Sequence, residues 1–237
     1  MKKVLITGST QGIGYAIAKA FVEDGWEVTV HCSKDLEKAQ RIQAQLGAHH
    51  AVVCDLGDMA QVTALYKKTG AVDCLILNAS VQFKENWLDI SDETFDQQVT
   101  VNLKSTLKPM QAYYPAMKEK GFGRIVTIGS INQQRQHPEL SLYGATKAAV
   151  MRLVKNVAKE AAPYGVTVNN ISPGAIATPR NEAIFKDKAK RKAFEEQIPM
   201  GRFGTPEDCI GAMRLLCSDA GSYITGIDLV IDGGMTL

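Results

Sequence analysis

Short apolar runs alternate with longer segments of helical periodicity along the chain. The predicted strands are Val4–Thr7, Val28–His31, Ala51–Cys54, Cys74–Leu77, Arg124–Ile128, Thr167–Ile171 and Asp228–Ile231. The main predicted helices lie between them, at Gly14–Asp24, Leu36–Leu46, Ser91–Lys118, Leu142–Glu160 and Pro206–Cys217. Because strand–helix–strand units close as right-handed crossovers, this pattern predicts an α/β fold: a doubly wound parallel sheet of about seven strands with helices on both faces.

Composition and charge narrow the classes of protein that the chain can represent. It has 237 residues, of which 45% are hydrophobic and 22% charged, and we expect a single domain over residues 1–237. A net charge of +2 offers little attraction to nucleic acid or a membrane surface, and no apolar run is long enough to span a bilayer. Five cysteines without a closely spaced pair favour buried thiols in a reducing compartment, so we expect a cytoplasmic protein.

A glycine-rich loop connects the first predicted strand to the first helix. Its spacing is Gly-x₃-Gly-x-Gly, and glycine allows a phosphate to approach the main chain where a Cβ would block it. A helix that begins directly after such a loop can bind a pyrophosphate through its free N–H groups. The alternative is an ordinary strand–helix turn. We expect the following residues to contact a dinucleotide: Gly8, Ser9, Thr10, Gln11, Gly12, Ile13 and Gly14.

Three further residues indicate acid–base chemistry. Tyr143 and Lys147 lie four positions apart in a predicted helix and therefore share one helix face. The lysine ammonium favours phenolate and lowers the phenol pKa from about 10, which makes Tyr143 a candidate general acid and base for an alcohol–ketone pair. Ser130 follows a predicted strand, at the sheet edge where ligands bind in such folds. An incidental pair on a helix face is the alternative.

Taken together, the loop and the Tyr-x₃-Lys pair make the whole chain resemble the short-chain dehydrogenase/reductase family. Thr7–Gly14 resembles the family's coenzyme loop, while Ser130, Tyr143 and Lys147 match its catalytic residues. Other positions match family motifs one by one: Asp55, Leu56, Asn78, Ala79, Asn102, Pro173, Gly174, Ile176 and Thr178. Ser80 departs from the pattern, which has glycine after Asn78-Ala79. The resemblance implies a Rossmann-type fold and an NAD(P)-dependent oxidoreductase acting on CH–OH groups.

The resemblance also implies a role for each group. Ser130 would hold the substrate oxygen and Tyr143 would transfer the proton. Lys147 would lower the phenol pKa and bind the ribose hydroxyls, and Asn102 would anchor a water that links the lysine to solvent. Asp55 would bind the adenine amino group, and the loop that begins at Pro173 would hold the nicotinamide carboxamide. No metal is required. Relatives with a similar carboxyl-terminal segment are usually homotetramers, so we expect a homotetramer.

The end of the second predicted strand favours NADP over NAD. An NAD enzyme usually has an acid there to bind the ribose 2′-OH, but this chain has Cys32. Ser33 and Lys34 follow and offer a hydroxyl and a cation to a 2′-phosphate; a plain solvated turn is the alternative. Gln11, where many NADP-dependent relatives have a basic residue, and the nearby Asp35 keep NAD open.

The segment between Ser130 and Tyr143 indicates the substrate class, since it forms one wall of the substrate cleft in the family. It is polar throughout Asn132–His137, and amides suit hydroxyl-rich ligands. We expect Asn132 and Gln133 to contact the substrate, with Gln82 and Trp87 as a further polar contact and a stacking face. This favours a small-molecule substrate such as a sugar, polyol or hydroxy acid. A solvent-exposed loop is the alternative.

Two other functions remain open at this point. The first is a 3-oxoacyl-[acyl-carrier-protein] reductase, the function of many relatives of this length. The two carrier-docking arginines of those reductases would align with Gly121 and Tyr164, so neither is present, although Lys120 is adjacent. The second is a catalytically silent protein that senses the cofactor and binds a partner. That function predicts an eroded catalytic tetrad, and the tetrad is intact.

Overall fold

The computed structural model describes residues 1–237, apart from the side chain of Ala183. It confirms all seven predicted strands, with ends that differ by no more than two residues. The strands are β1 (Lys3–Ile6), β2 (Glu27–Cys32), β3 (His50–Val53), β4 (Cys74–Leu77), β5 (Gly123–Ile128), β6 (Val166–Pro173) and β7 (Asp228–Ile231). The α-helices are α1 (Gly12–Glu23), α2 (Leu36–Leu46), α3 (Met59–Thr69), α4 (Asp92–Val99), α5 (Ser105–Lys120), α6 (Ser141–Ala161), α7 (Glu182–Lys186), α8 (Lys188–Glu195) and α9 (Ile210–Cys217).

The helices differ from the predicted ones in one region above all. The single helix predicted over Ser91–Lys118 is divided by a π-helix at Thr100–Lys104, with α4 before it and α5 after it. The segment predicted over Pro206–Cys217 begins with a 3₁₀ turn, and α9 starts at Ile210. Helices α3, α7 and α8 were not among the helices predicted.

All neighbouring strands of the sheet are parallel, in the order β3-β2-β1-β4-β5-β6-β7. The chain builds outward from β1 to β3 on one side, then returns to place β4 on the other side of β1. This reversal leaves the loops after β1 and β4 side by side at the carboxyl ends of their strands.

Both faces of the sheet are buried, which explains why its strands are almost continuously apolar. Val4 and Ile6 point into a core shared with α1 and α9, whereas Leu5 points into a second core shared with α3, α5 and α6. The side chains of β1 therefore alternate between the two cores, as a strand requires. The five cysteines are buried free thiols, as predicted.

Candidate active site

A cleft of about 870 Å³ opens at the carboxyl ends of the strands. It crosses the junction between β1 and β4, where the strand order reverses, and open α/β sheets bind their ligands at such junctions. Segments that follow all seven strands line it, including Met235 after β7, so distant parts of the sequence meet there. Most of the predicted site residues line this one cavity.

The glycine-rich loop contributes Gly8, Thr10, Gln11, Gly12 and Ile13 to the cleft wall. Gly8 and Gly12 have φ angles of 66° and 58°, in the left-handed region that favours glycine. Helix α1 begins at Gly12, and no side chain of the described residues caps its first turn. These N–H groups remain available to an anionic ligand, so the loop and the helix end fit a pyrophosphate.

Ser9 and Gly14 are exceptions within this loop, because neither lines the cleft. The buried Ser9 Oγ donates to Ile6 O at 2.8 Å and accepts the His31 N–H at 2.8 Å, which ties β1 to β2. A Cβ on Gly14 would lie 2.4 Å from Gly8 O. Both residues hold the loop in shape from behind, and their contact with the cofactor stays a prediction.

His31, a residue not predicted to act in the site, supports the same loop. Its Nδ1 accepts the Gly8 N–H at 2.9 Å, so the neutral tautomer with its proton on Nε2 can donate to Cys54 O at 2.9 Å. The side chain is 1% exposed, and burial lowers the pKa of His31 to about 4. The sequence feature that could have indicated this role is a histidine near the end of a buried strand.

This histidine makes the stability of the fold sensitive to acid. The His31 pKa is about 4 in the folded chain against 6.5 in the unfolded chain, so the unfolded chain binds the proton first as the pH falls. The stabilisation is complete above about pH 6.5 and is lost as the pH falls towards the folded pKa. Between about pH 7.5 and pH 5, we expect this group to remove about 2 kcal/mol from the free energy of unfolding.

Urea unfolding at both pH values measures this effect. The His31→Gln variant should lose less stability than wild type over the same interval, and the difference should be about 2 kcal/mol. Equal pH dependence in wild type and His31→Gln would contradict the assignment.

The loops after β2 and β3 form the end of the cleft that was predicted to hold the adenosine. Ser33, Lys34, Asp55 and Leu56 all line it. Lys34 Nζ lies 3.1 Å from Asp55 Oδ2, while Asp55 Oδ1 accepts the Gly57 N–H at 2.9 Å. The structure therefore brings the four predicted residues to one end of the cleft and places a cation beside the Asp55 carboxylate.

Lys38 adds a second cation at this end and was missed in the sequence. It stands one turn into α2, lines the cleft, and its Nζ donates to Gln11 Oε1 at 3.2 Å. Asp35, which kept NAD open, caps α2 by accepting the Lys38 N–H at 2.8 Å. Asp35 is not part of the cleft lining. Lys38 and Lys34 line the same end of the cleft because α2 begins directly after β2, which is visible only in the folded structure.

Asn78 and Ala79, after β4, lock this strand to the glycine loop. Asn78 Nδ2 donates to Thr7 O at 2.9 Å and to Gly8 O at 3.1 Å. Thr7 Oγ1 accepts the N–H groups of Asn78 and Ala79, at 2.9 and 3.1 Å. Both residues line the cleft, as does Ser80, which replaces the family's glycine. The contacts show that the Asn78 amide holds the loop rather than pointing freely into the cleft.

Ser130 and Tyr143 line the other end of the cleft, and Lys147 lies buried behind the tyrosine without lining it. Tyr143 and Lys147 are each 4% exposed, and the lysine Nζ lies 5.6 Å from the centre of the tyrosine ring. Lys147 Nζ donates to Ile128 O at 2.7 Å, which fixes the ammonium beneath the carboxyl end of β5. Ser130 Oγ accepts the Asn132 N–H at 3.2 Å, which leaves its hydroxyl proton for the phenol or for a ligand.

Charges around the phenol favour its deprotonated form. Burial raises the pKa of Tyr143, but the cations Lys147 and Arg180 lower it. Hydrogen bonds that Ser80 and Ser130 make with the phenol lower the pKa further, and the result lies below the ordinary value. Arg180, whose Nη1 lies 3.5 Å from Tyr143 Oη, was not predicted from the sequence. Arg180 belongs to the loop after β6 but to none of the family motifs matched in the sequence, and the fold places it beside the phenol.

Asn102 lies in the π-helix and uses its whole side chain within the protein. Its Oδ1 accepts the Val81 N–H at 2.9 Å, and its Nδ2 donates to Val81 O at 2.9 Å and to Thr146 Oγ1 at 3.2 Å. Its main-chain carbonyl accepts from Thr106 Oγ1 at 2.8 Å. The side chain thus positions the loop after β4 against α6, and only the carbonyl remains to hold a water.

The loop after β6 closes the cleft opposite the glycine loop. Pro173, Gly174, Ile176 and Thr178 line it, as predicted. A Cβ on Gly174 would lie 2.6 Å from Asp232 Cβ, so glycine is required where this loop passes the end of β7. The two loops approach each other across the cleft, leaving the space between them for a ligand.

The polar segment after Ser130 divides into two sets of side chains. Asn132 and His137 line the cleft, and His137 Nδ1 is buried without a partner among the described residues. Gln133 does not line it: its Nε2 donates to Asp228 Oδ2 at 2.6 Å. A partly buried carboxylate needs donors and takes this amide, so substrate contact by Gln133 stays a prediction that its position does not support. Trp87 is 66% exposed and is likewise not part of the cleft lining.

Comparison with known proteins identifies the family. A family model described as enoyl-(acyl carrier protein) reductase matches residues 8–236. Dehydrogenase/reductase SDR family member 4 of Sus scrofa is 36% identical over 242 residues, which cover 98% of this chain and 86% of that protein. The chain belongs to the short-chain dehydrogenase/reductase family. It is accordingly a dehydrogenase/reductase enzyme, and the predicted fold class is confirmed.

Two solved structures of the family are closely similar to this one. A Beutenbergia cavernae protein described as an NAD(P) dependent gluconate 5-dehydrogenase, with NADP bound at low occupancy, is 33% identical. It superposes with a TM-score of 0.93 over 99% of this chain and 96% of that one. A 3-oxoacyl (acyl-carrier-protein) reductase from Agrobacterium tumefaciens, with NADP bound, is 34% identical, with a TM-score of 0.92 over 98% and 93% of the two chains.

The described residues include neither a candidate membrane span nor a candidate metal cluster. No described helix is both long and apolar enough to cross a membrane. No group of three or more histidine, cysteine or acidic side chains in the described part of the chain is arranged to hold a metal ion.

Proposed function

We propose that this enzyme uses NADP(H) to interconvert a small polar alcohol and the corresponding ketone, with a sugar, polyol or hydroxy acid as the substrate class. The observation that carries the proposal is the position of Tyr143. Its phenol, with its lowered pKa, lies beside Lys147 in the same cleft that receives the free N–H groups of α1. When bound, the nicotinamide supplies or accepts the hydride.

The roles of the phenol and the serine follow from their surroundings. Tyr143 Oη gives a proton to the ketone oxygen in reduction and removes one from the alcohol in oxidation. Ser130 Oγ hydrogen-bonds the phenol in the free enzyme. It can turn its proton to the same substrate oxygen when a substrate is bound, because its contact with the Asn132 N–H uses only a lone pair. The two hydroxyls thus hold the reacting oxygen between them.

Lys147 and Asn102 support the phenol. Lys147 Nζ bonds only to Ile128 O among the described residues, so two of its three donors remain for ribose hydroxyls and a water. Its charge favours phenolate. The Asn102 main-chain carbonyl is the proposed anchor for the water that connects the lysine to solvent, since the side-chain amide is fully used. Asn102 is therefore a positioning residue in this scheme.

Two cations support NADP(H) as the cofactor. Lys34 and Lys38 both line the end of the cleft beyond β2, where Cys32 stands in place of an acid. Asp35 is turned into the cap of α2 and so does not repel a 2′-phosphate from within the cleft. Asp55, paired with Lys34, is the carboxylate closest to these cations and is proposed to bind the adenine amino group.

A comparison of cofactors tests this preference. We expect kcat/KM to be at least about ten-fold higher with NADPH than with NADH, because a phosphate gains charge-assisted hydrogen bonds from lysines. Lys38→Ala should reduce that ratio several-fold. The control is Lys19→Ala on the exposed side of α1, which should leave the ratio unchanged. A ten-fold advantage for NADH in wild type would refute NADP(H) as the cofactor.

Alanine substitutions of the neighbouring amides Asn132 and Gln133 test whether the segment after Ser130 contacts the substrate, because only Asn132 lines the cleft. Asn132 lines the cleft, and its side-chain amide has no partner among the described residues, so Asn132→Ala should raise KM several-fold for a polar substrate. Gln133→Ala removes the donor to Asp228 and should lower Tm with a smaller effect on KM. Steady-state kinetics and thermal unfolding of both variants check this. The reverse order of the two KM effects would contradict it.

A panel of substrates tests the function as a whole. With NADPH or NADP, the panel compares sugars, polyols, hydroxy and oxo acids, a steroid and acetoacetyl thioesters. We expect turnover of polar members, since Asn132, Arg135 and His137 present polar groups to the cleft. An acetoacetyl thioester that outperforms every other member would favour the 3-oxoacyl-[acyl-carrier-protein] reductase instead. Assembly as a homotetramer, location in the cytoplasm and a single domain stay predictions.

A further inference from the structure

Arg180 lies at the end of the cleft that contains Tyr143, which we call the reacting end. The hydrogen-bond partners of its guanidinium are neutral groups. Its Nη2 donates to Ser80 O at 2.9 Å and to Ser80 Oγ at 3.2 Å, while Nη1 lies 3.5 Å from Tyr143 Oη. The guanidinium therefore bridges the loops after β4 and β6 directly beside the phenol. A backbone carbonyl and a hydroxyl are weaker partners for an arginine than a carboxylate.

This cation has no carboxylate partner in the described part of the chain, whereas three other arginines do. The paired examples are Arg191 with Glu195, Arg202 with Asp208, and Arg214 with Asp24. An arginine that reaches a cleft without an ion pair retains its fork of donors for a ligand. Planar, bidentate recognition of a carboxylate is the interaction for which this side chain is best suited.

The charges that line the cleft are divided along its length. Its two lining carboxylates, Asp55 and Asp58, both follow β3 at the adenosine end. The charged lining residues that follow β4, β5 and β6 are all cationic: Lys84, Arg135 and Arg180. Arg135 is partly held, since its Nη2 donates to Gln197 Oε1 at 3.3 Å. An electropositive cleft end attracts an anionic substrate and raises its local concentration.

We propose that Arg180 binds a substrate carboxylate on the reacting carbon or on the carbon next to it, so that the substrates are 2- or 3-oxo acids and their hydroxy acids. Because Nη1 lies 3.5 Å from Tyr143 Oη, the guanidinium reaches groups only one or two carbons from the oxygen that Tyr143 protonates. A carboxylate at the distant end of a longer chain lies beyond this reach. The carboxylate itself makes and breaks no bond.

The proposal rests on the proposed function, and its test first establishes that function separately. NADPH binding is measured by fluorescence for wild type, Arg180→Gln, Arg180→Lys and a control, Arg152→Gln. Arg152 is exposed on α6 and is not part of the cleft lining, so this control removes the same charge outside the site. We expect all four proteins to bind NADPH with similar affinity. Failure of wild type to bind it would refute the proposed function, whatever Arg180 does.

The binding of small anions to the NADPH complex then tests Arg180 without turnover. Oxamate and malonate are the probes, because they carry a carboxylate beside or one carbon from a carbonyl group. We expect saturable binding to wild type and a dissociation constant at least about ten-fold higher in Arg180→Gln, with Arg152→Gln equal to wild type. Arg180→Lys should recover part of the affinity, since it keeps the charge but loses the fork. Equal binding in Arg180→Gln would overturn the proposal.

Matched substrates provide the second arm. Acetoacetate and 2-oxobutanoate are compared with their methyl esters, which keep the carbon chain and lose the charge. We expect wild type to prefer each acid in kcat/KM by at least about ten-fold, and Arg180→Gln to lose that preference. If Arg180→Gln lost the same factor in kcat/KM on acid and ester and its pH profile shifted, Arg180 would act only by lowering the pKa of Tyr143. A fall in NADPH affinity would make it a cofactor contact. Either result overturns the carboxylate site, while the function itself stands.

Discussion

Replacing Tyr143 by phenylalanine is expected to lower kcat by about 10²–10⁴-fold and to leave NADPH binding close to wild type. The ring that fills this buried position is kept, so the packing of α6 against the cleft changes little. The group that is lost is the hydroxyl whose pKa is held low and which lies beside the reacting oxygen in the proposed function. Steady-state kinetics and fluorescence titration of NADPH measure the two quantities.

A second tyrosine provides the control for this change. Tyr164 is exposed in the turn after α6 and precedes β6, at the opposite edge of the sheet from the cleft. Tyr164→Phe removes the same hydroxyl from a place without a role in catalysis and should retain wild-type kcat. If Tyr143→Phe kept near wild-type turnover, the proton-transfer role would be wrong and another donor in the cleft would have to be found.

The Gly14→Ala variant is expected to be destabilised by about 2–3 kcal/mol and to bind NADPH far more weakly. A Cβ at this position would lie 2.4 Å from Gly8 O and 2.5 Å from Asn78 Nδ2, which are much closer than any stable contact. Neither neighbour can yield cheaply, because the first is main chain and the second holds β4 to the loop through Thr7 O. The first turn of α1 must therefore move away from the glycine-rich loop in the variant.

Gly211→Ala is the matched control for this effect. Gly211 lies in α9, also within a helix, but a Cβ there would have no heavy atom within 4 Å. The substitution should leave NADPH binding unchanged and should stabilise the fold by about 0.4–1 kcal/mol, since alanine is the better helix former. Chemical unfolding and NADPH titration of both variants provide the comparison. Equal behaviour of the two variants would show that the close approach at Gly14 has no consequence.

The sequence determined the parts of this protein that depend on neighbours along the chain. A strand buried on both faces is apolar throughout, so β4 could be located with its exact ends. Tyr143 and Lys147 share a helix face because they are four residues apart, which is a property of any helix. The glycine spacing after β1 likewise indicated a phosphate loop without knowledge of the remaining fold.

Only the tertiary structure decided which polar groups face the cleft and which are used inside the protein. Gln133 turns to Asp228, a residue 95 positions away, and Ser9 turns to β2, because a buried polar atom takes the nearest partner that the fold offers. The π-helix that holds Asn102 is set by contacts with Val81 and α6. Arg180 reaches Tyr143 from another loop. Such pairings join positions far apart in the chain, so periodicity and local spacing contain no signal for them.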